Sequence, residues 1–310
     1  MKINILESDI MSKNTLVSVD LGNITTVGIG NSEILIESRI KEFNEMDSLN
    51  NNDTFEFDGI KYICNSGKYE NNKLKYEKEN YLALLYYTIA KCTNDNNIDL
   101  VLAIPSSQYK SKKQTMENFI KENSKKTIFV NDEKRTIKIN NLFIVPEGYS
   151  LKTLPNIINK VKKNVDSLVV DVGGNTVDLA EFDDNFNFKS GNGIEYGLLD
   201  LYRETRDYIN NEYNLKITVE DGKKYFDGDM QLIDGNIEYK QILMKNFLKN
   251  ILNELKGMYP NISNMNVILS GGGADKIFNT FKKAYPQTIL DSNIKSQARG
   301  LYNIGLKFFK

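Results

Sequence analysis

Histidine and tryptophan are both absent from the 310 residues. Without imidazole there can be no Ser-His or Cys-His nucleophile pair, no imidazole acid or base, and none of the usual zinc or non-haem iron sites. Chemistry on this chain must run on carboxylates, backbone amides, lysines and hydroxyls, with a hard cation as the metal class that suits such ligands. Cysteine occurs only twice, as Cys64 and Cys92, far apart and at no metal-binding spacing. That usage suits a reducing compartment, and both read as small, half-buried hydrophobes. Neither sign of charge prevails: 40 basic residues face 41 acidic ones, for a net of −1. No whole-protein field draws such a chain onto phosphate backbones or anionic lipid, so direct DNA binding is not expected. Long hydrophobic runs are missing as well. The longest mostly apolar stretch, residues 81–90, is about half of the roughly 20 residues a membrane span needs. The opening MKINILESDIMSKN carries acidic residues before any apolar block and has no small-residue cleavage site. A secretory signal is therefore not expected, and the expected location is the cytoplasm with no membrane partner.

The length gives a prior of roughly two domains at about 150 residues each. Alternating and β-branched runs predict strands at residues 15–20, 25–30 and 33–39, then a hairpin, FEFDGIKYI, turning at Asp58-Gly59. An apolar helix over 78–92, a buried strand IDLVLAIP, and a helix over 106–123 opened by a serine cap come after it. Next come a hairpin TIFVNDEKRTIKI, a buried strand LFIVPEG and a helix over 149–163. From residue 167 the order begins again: strands SLVVD and TVDLAEF, a third at 185–189, and a helix over 197–210. An irregular, Asp/Gly-punctuated segment to residue 234 precedes a long helix over 239–258, a buried strand MNVILS, a glycine-opened helix, and a last helix from residue 294.

Both halves thus read as three strands, helix, strand, helix, and the repeat extends to single residues. VSVDLGNITT (17–26) aligns with LVVDVGGNTV (168–177), placing Asp20 over Asp171 and Gly22 over Gly173. Each is a hydrophobic strand that ends in Asp-x-Gly and turns into a second strand. Turns whose N–H groups converge form nests that hold anions, and glycine lets the backbone come close. Gly22-Asn23 and Gly173-Gly174-Asn175-Thr176 suit a triphosphate, while Asp20 and Asp171 are placed to hold a hydrated Mg²⁺ bridging it. A single hairpin of this kind also reads as an ordinary Asp-Gly turn; two in register across a repeat are harder to obtain by accident. A third feature is VILSGGGADKI, a buried strand stopping at Ser270-Gly271-Gly272-Gly273. There three glycines would let a flat base lie on bare backbone, although a flexible strand-to-helix junction looks the same.

These motifs together resemble the actin, sugar kinase and heat-shock chaperone ATPase superfamily, and within it the plasmid-segregating bacterial actin-like proteins of the ParM type. VSVDLGNITT is similar to the first phosphate motif, LVVDVGGNTVDLAEF to the second, and VILSGGGADKI to the adenosine motif. IVPEGYSLKTL and SQARGLYNIG resemble the two inter-domain connections. The resemblance implies an α/β, actin-like (ribonuclease H-like, duplicated) two-domain fold. Domain I would span 1–165 plus a C-terminal helix over 294–310, and domain II 166–293, with ATP and Mg²⁺ in the cleft between them and GTP as the alternative nucleotide. Residue by residue, it implies Asp20 and Asp171 on the metal through water, Gly22, Asn23, Gly173, Gly174, Asn175 and Thr176 around the phosphates, and Gly271, Gly272 and Gly273 facing adenosine. Asp178 matches a position that reaches the metal waters in chaperone-type relatives; on its own it reads as an exposed strand carboxylate. Glu147 matches the residue that orients the attacking water, whereas Pro-Glu-Gly alone reads as a helix start with an acid near the dipole. The first hairpin departs from the ParM pattern in lacking the lysine that often succeeds it, and the sugar contacts within 216–239 stay open.

Of the functions this fold carries, a chaperone would require a further substrate domain and a small-molecule, sugar-type kinase would require acceptor-side inserts; neither is read here. An MreB-like cell-shape filament would bring a membrane-seeking terminus, and this N-terminus is a poor one. The expectation is an ATPase that polymerises with itself and segregates plasmid DNA through a ParR-type adaptor bound to a centromere-like site.

Overall fold

The structure is a computed structural model in which residues 14–47, 53–69, 77, 79–131 and 133–309 are described. The expectation drawn from residues 1–13 lies outside them. Strands β1 (Thr15–Leu21), β2 (Thr25–Ile29) and β3 (Glu33–Glu37) open the chain as an antiparallel meander. After them come β4 (Ile40–Glu42), the hairpin β5 (Thr54–Phe57) and β6 (Ile60–Cys64), helix α1 (Tyr81–Cys92), strand β7 (Asn97–Ile104), helix α2 (Ser106–Glu122), β8 (Lys125–Val130) and β9 (Glu133–Pro146). The second half holds α3 (Pro155–Ile158), β10 (Ser167–Val172), β11 (Val177–Phe182), β12 (Phe188–Ile194), α4 (Leu198–Tyr213), α5 (Val219–Asp227), α6 (Glu238–Met258), β13 (Asn266–Ser270), α7 (Ala274–Ala284), β14 (Thr288–Leu290) and α8 (Ser296–Phe308).

The repeat read from the sequence is a repeat of topology. The first sheet runs β3-β2-β1-β7-β9-β8-β5-β6-β4 and the second β12-β11-β10-β13-β14. Five strands correspond in the same order, each set an antiparallel meander joined to parallel strands. Their central strands are buried on both faces and read as nearly unbroken apolar runs, as β7 (NIDLVLAI) and β13 (NVILS) do. Helix α1 covers one face of the first sheet. Helix α8, from the far end of the chain, lays Leu301 and Ile304 on Val101, Ala103 and Val145 of the other. Conversely Leu151, Leu154 and Ile157 leave the first half and pack under Val169, Phe182 and Ile268 of the second sheet. The chain thus crosses between the sheets twice, near residue 148 and near residue 294.

Several local expectations are corrected. Helix α2 has no serine cap: Ser106 is its first residue, after Pro105, and its hydroxyl instead donates to the Leu179 carbonyl of the second sheet at 2.9 Å. The hairpin strand and LFIVPEG are one strand, β9, which pairs β8 along its start and β7 along its end, with a register shift at Ile98/Asp99. The helix expected over 149–163 is a 3-10 turn, Tyr149–Thr153, and then the short α3. Pro155 forces Leu154 into extended backbone (φ −98°, ψ 113°) and splits the two. The strand expected at 185–189 begins only at Phe188, because Asp183 Oδ1 accepts the amides of Asn185 and Asn187 and closes a turn there. β12 is glycine-bearing because α2 presses on it: a Cβ on Gly191 would lie 2.1 Å from the Ser106 carbonyl oxygen. The segment expected to be irregular contains α5, started by a reciprocal cap in which Thr218 Oγ1 accepts the Asp221 amide while Asp221 accepts the Thr218 amide.

Candidate functional site

The first two strands of each sheet meet in the same turn. The Gly22 amide donates to the Thr25 carbonyl at 3.1 Å, and the Gly173 amide to the Thr176 carbonyl at 3.0 Å. In each case an aspartate precedes the last residue of the strand, Asp20 across from Val27 and Asp171 across from Asp178. The turns face one another: a Cβ on Gly174 would stand 3.0 Å from Asn23 Cβ and 2.9 Å from the Ile24 side chain. They border a cleft of about 600 Å³ at the carboxyl ends of the parallel strands, the usual place for a ligand in such sheets.

The sequence-selected residues converge there. Asp20, Gly22 and Asn23 line the cleft from the first sheet, Asp171, Gly173, Gly174, Thr176 and Asp178 from the second, with Glu147, Gly271 and Gly272 completing the wall. Asn175 and Gly273 are not part of the lining. Asn175 is buried, and Gly273 is buried as the residue before α7, where a Cβ would meet Val172 Cγ1 at 2.4 Å. Asp178 is also buried rather than an exposed strand carboxylate, and Thr176 Oγ1 donates to it at 2.8 Å. Glu147 stands one residue past β9, its amide extending the ladder to the Ile104 carbonyl at 2.9 Å. Gly148 then turns the chain with φ +83°, and the residues after it form a single 3-10 turn, not the helix that the Pro-Glu-Gly reading supposed.

One polar chain ties the crossings to the second aspartate. Gln297 Nε2 donates to Asp171 Oδ2 at 2.8 Å, and Gln297 Oε1 accepts from Ser150 Oγ at 2.6 Å. Ser150 belongs to the first crossing and Gln297 to the second, and a Cβ on Gly300 would lie 2.5 Å from the Ser150 carbonyl oxygen, so the two segments touch. Below the glycine turn, Asp291 is buried and accepts from Ser296 Oγ at 2.6 Å and Ser270 Oγ at 3.2 Å. Burial raises its carboxyl above the ordinary value, against those hydrogen bonds. Sequence reasoning misses Gln297, although it lies within SQARGLYNIG, the second connection motif.

The other end of the cleft is lined by Tyr202, Lys223, Asp227, Lys276, Asn293 and Ile294. Asp227 pairs with Lys276 at 2.6 Å and Lys223 at 3.2 Å, and the Tyr202 hydroxyl lies 3.4 Å away. Burial, then the Asp227 charge, pushes the Tyr202 phenol up. Residues 216–239 are open in the sequence reading; the Thr-x-x-Asp cap of α5 is the signal that could have placed Lys223 and Asp227 on one helix.

Among the described residues no group of three or more acidic or cysteine side chains is close enough to hold a bare metal ion. Two opposed carboxylates and glycine turns fit a hydrated hard cation bound through its waters, on an anionic ligand cradled by backbone amides.

Comparison with known proteins agrees with this geometry. Residues 18–149 match the family described as actin-like proteins, N-terminal domain. A ParM filament structure from Clostridium botulinum superposes with a TM-score of 0.77 at 18% identity, over 96% of this chain and 100% of that one. An archaeal actin homolog in complex with ADP gives 0.79 at 16% identity, over 94% and 99%. The fold is actin-like. An Alp12 filament structure also matches, with a TM-score of 0.67 at 20% identity over 96% of this chain and 100% of that one. No curated protein matches the sequence. The two Asp-x-Gly hairpins and the glycine turn after β13 border the cleft of this actin-like fold. Among the described residues no helix is long and apolar enough to cross a membrane.

Proposed function

We propose that this chain is an ATPase that assembles with itself into dynamic filaments and segregates plasmid DNA. The observation that carries the reading is the pair of equivalent Asp-Gly hairpins facing each other across one cleft of an actin-like fold. The units would be residues 1–165 with the helix over 294–310, and residues 166–293, with 149–158 connecting them and packed under the second sheet. The amides of the two turns would hold the phosphates of ATP, Gly271 and Gly272 would lie under the base, and Asp20, Asp171 and Asp178 would hold Mg²⁺ through its waters. The cation would offset the charge of the phosphates. Glu147, fixed at the end of β9, would orient the water that attacks the terminal phosphate. Nucleotide binding would favour the closed, assembling form and hydrolysis the disassembling one, which is a shift between populations. The near-zero net charge supports leaving DNA contact to a separate adaptor of the ParR type on a centromere-like site.

The test is pelleting and light scattering after addition of ATP and Mg²⁺, run beside phosphate release. Wild type should assemble and then decay. Glu147→Ala should bind ATP and assemble but release phosphate on the order of 100-fold more slowly, the scale for losing a positioned acid/base group. Absence of polymer together with turnover stimulated by a small acceptor would replace the filament reading with a kinase.

A further inference from the structure

Between α5 and α6 the chain presents apolar side chains to solvent. Met230, Ile233 and Ile237 are all exposed, and Ile242 in the second turn of α6 joins them. This loop is not slack. Leu232 and Tyr239 are buried with Ile209 and Tyr225, the Gly235 amide donates to the Leu232 carbonyl at 2.9 Å, and the Tyr213 hydroxyl donates to Asp234 at 2.7 Å. Isoleucines held outward by a fixed loop mark a contact site. Residues 228–238 contain three acids, Asp229, Asp234 and Glu238, and no base.

The reverse composition occurs on the segment that leads into β10, at the base of the second sheet. Residues 156–165 contain three lysines, Lys160, Lys162 and Lys163, and no acid, around an exposed Ile158. The lysines are exposed as well. This heel is fixed by Asn266, the first residue of β13, whose Oδ1 accepts the Lys162 amide at 2.8 Å and whose Nδ2 donates to the Lys162 and Val165 carbonyls at 3.0 Å. Helix α6 separates the two surfaces. Its 21 residues span about 31 Å from the tip at Glu238 to Met258, eight residues before Asn266. The tip of one molecule therefore cannot reach its own heel.

We propose that the acid-rimmed apolar tip formed by Met230, Ile233 and Ile237 docks onto the lysine-rimmed heel around Ile158 of a second copy of this chain. Different patches make a head-to-tail contact, which does not close on itself and so builds a filament rather than a dimer. The isoleucines supply buried area, and the opposed charges set polarity and reject tip-to-tip and heel-to-heel pairing. The inference rests on the self-assembly proposed above and names its surface.

The experiment is a charge exchange. Asp229→Lys with Glu238→Lys reverses the tip, and Lys160→Glu with Lys162→Glu reverses the heel, none of them part of the cleft lining. Each pair alone should abolish pelleting with ATP and Mg²⁺ at protein concentrations where wild type assembles, while nucleotide binding stays unchanged and shows the variants to be folded. All four changes in one chain should restore assembly. Ile233→Asp should raise the critical concentration about tenfold or more, the factor that corresponds to burying one isoleucine side chain. A chain carrying Ile233→Cys and Ile158→Cys should give an ATP-dependent ladder with a short bis-maleimide. Normal assembly of both charge-reversed pairs, or no rescue in the fourfold variant, overturns the docking surface while leaving the filament reading in place. Failure of wild type itself to assemble overturns both.

Discussion

Gly271→Ala perturbs the candidate site at the point where its parts are closest. Gly271 has φ +92°, a conformation that costs a residue with a Cβ about 1–2 kcal/mol. A Cβ there would also lie 2.2 Å from Asp171 Oδ1, 2.7 Å from the Val172 carbonyl oxygen and 2.8 Å from its amide nitrogen. The backbone contacts cannot yield without moving β10, so overpacking adds about 1–3 kcal/mol. A total near 2–5 kcal/mol lowers the melting temperature of a unit of this size by roughly 5–15 °C. The Asp171 carboxylate can yield, but only by leaving Gln297 Nε2, now at 2.8 Å, and such a bond to a charged group contributes about 1.5–3 kcal/mol. Nucleotide affinity should therefore fall roughly tenfold to a hundredfold. Gly272→Ala is the control, because a Cβ there meets nothing within 4 Å and its φ is not positive. It should leave the melting temperature unchanged and weaken nucleotide binding only, as expected if the base lies on that backbone. Circular dichroism melts and titration with a fluorescent nucleotide read both quantities. Wild-type melting and affinity in Gly271→Ala would refute the placement of Asp171 against the glycine turn.

Gln297→Leu removes the donor to Asp171 without adding a charge, and should weaken nucleotide binding about tenfold in the same titration with little change in melting; unchanged affinity would show that the contact is idle. Burial pushes the thiols of Cys64 and Cys92 up to about 12, so at pH 8 only about one molecule in ten thousand carries a thiolate at either site. Neither should be alkylated in the native protein within an hour, and both should react once it is denatured, as mass spectrometry can show. The Lys91 ammonium beside Asp53, with the Tyr87 hydroxyl, holds its carboxyl below the usual range. Its share of stability is present above the ordinary carboxylate pKa and lost as pH falls through the lower folded value, below about pH 4. Asp53→Asn should make acid unfolding shallower in that window, and an unchanged acid profile would exclude the pair from it.

The parts of the fold legible in the sequence were those whose signal is local. β1, β7, β10 and β13 are apolar runs because both their faces are covered, and the turns at Gly22 and Gly173 carry their own residue signature. What escaped depended on contacts far along the chain. β12 reads as a poor strand, FKSGNGI, in part because Gly191 answers to the Ser106 backbone 85 positions earlier, a demand its own neighbours in sequence do not register. Ser106 looked like a cap because helix starts favour serine, yet its hydroxyl is taken by the second sheet. The continuity of β9 was hidden by its change of partner midway, from β8 to β7. At the site, the carboxylates and glycines were legible through the repeat. Gln297 was not, because its role appears only once α8 lies beside Asp171.

The Gln297 contact bears on how two similar halves can act together. Asp20 and Asp171 occupy equivalent strand positions, but the second is tied through Gln297 to Ser150, and hence to both crossings of the chain. A pull on the Asp171 carboxylate reaches the crossing segments through two hydrogen bonds of 2.8 and 2.6 Å between buried or half-buried groups, where such bonds are stronger than in water. Those segments also carry the apolar anchors, Leu151 and Ile157 under the second sheet and Leu301 and Ile304 under the first. A change at Asp171 is thereby presented to the two places where one sheet could turn against the other. If the tip and heel proposed above both move with the second sheet, a rotation there would re-aim them together relative to the first sheet. The hydrolysis proposed at Glu147 and the assembly proposed through Ile233 could be coupled in this way without any residue that belongs to both.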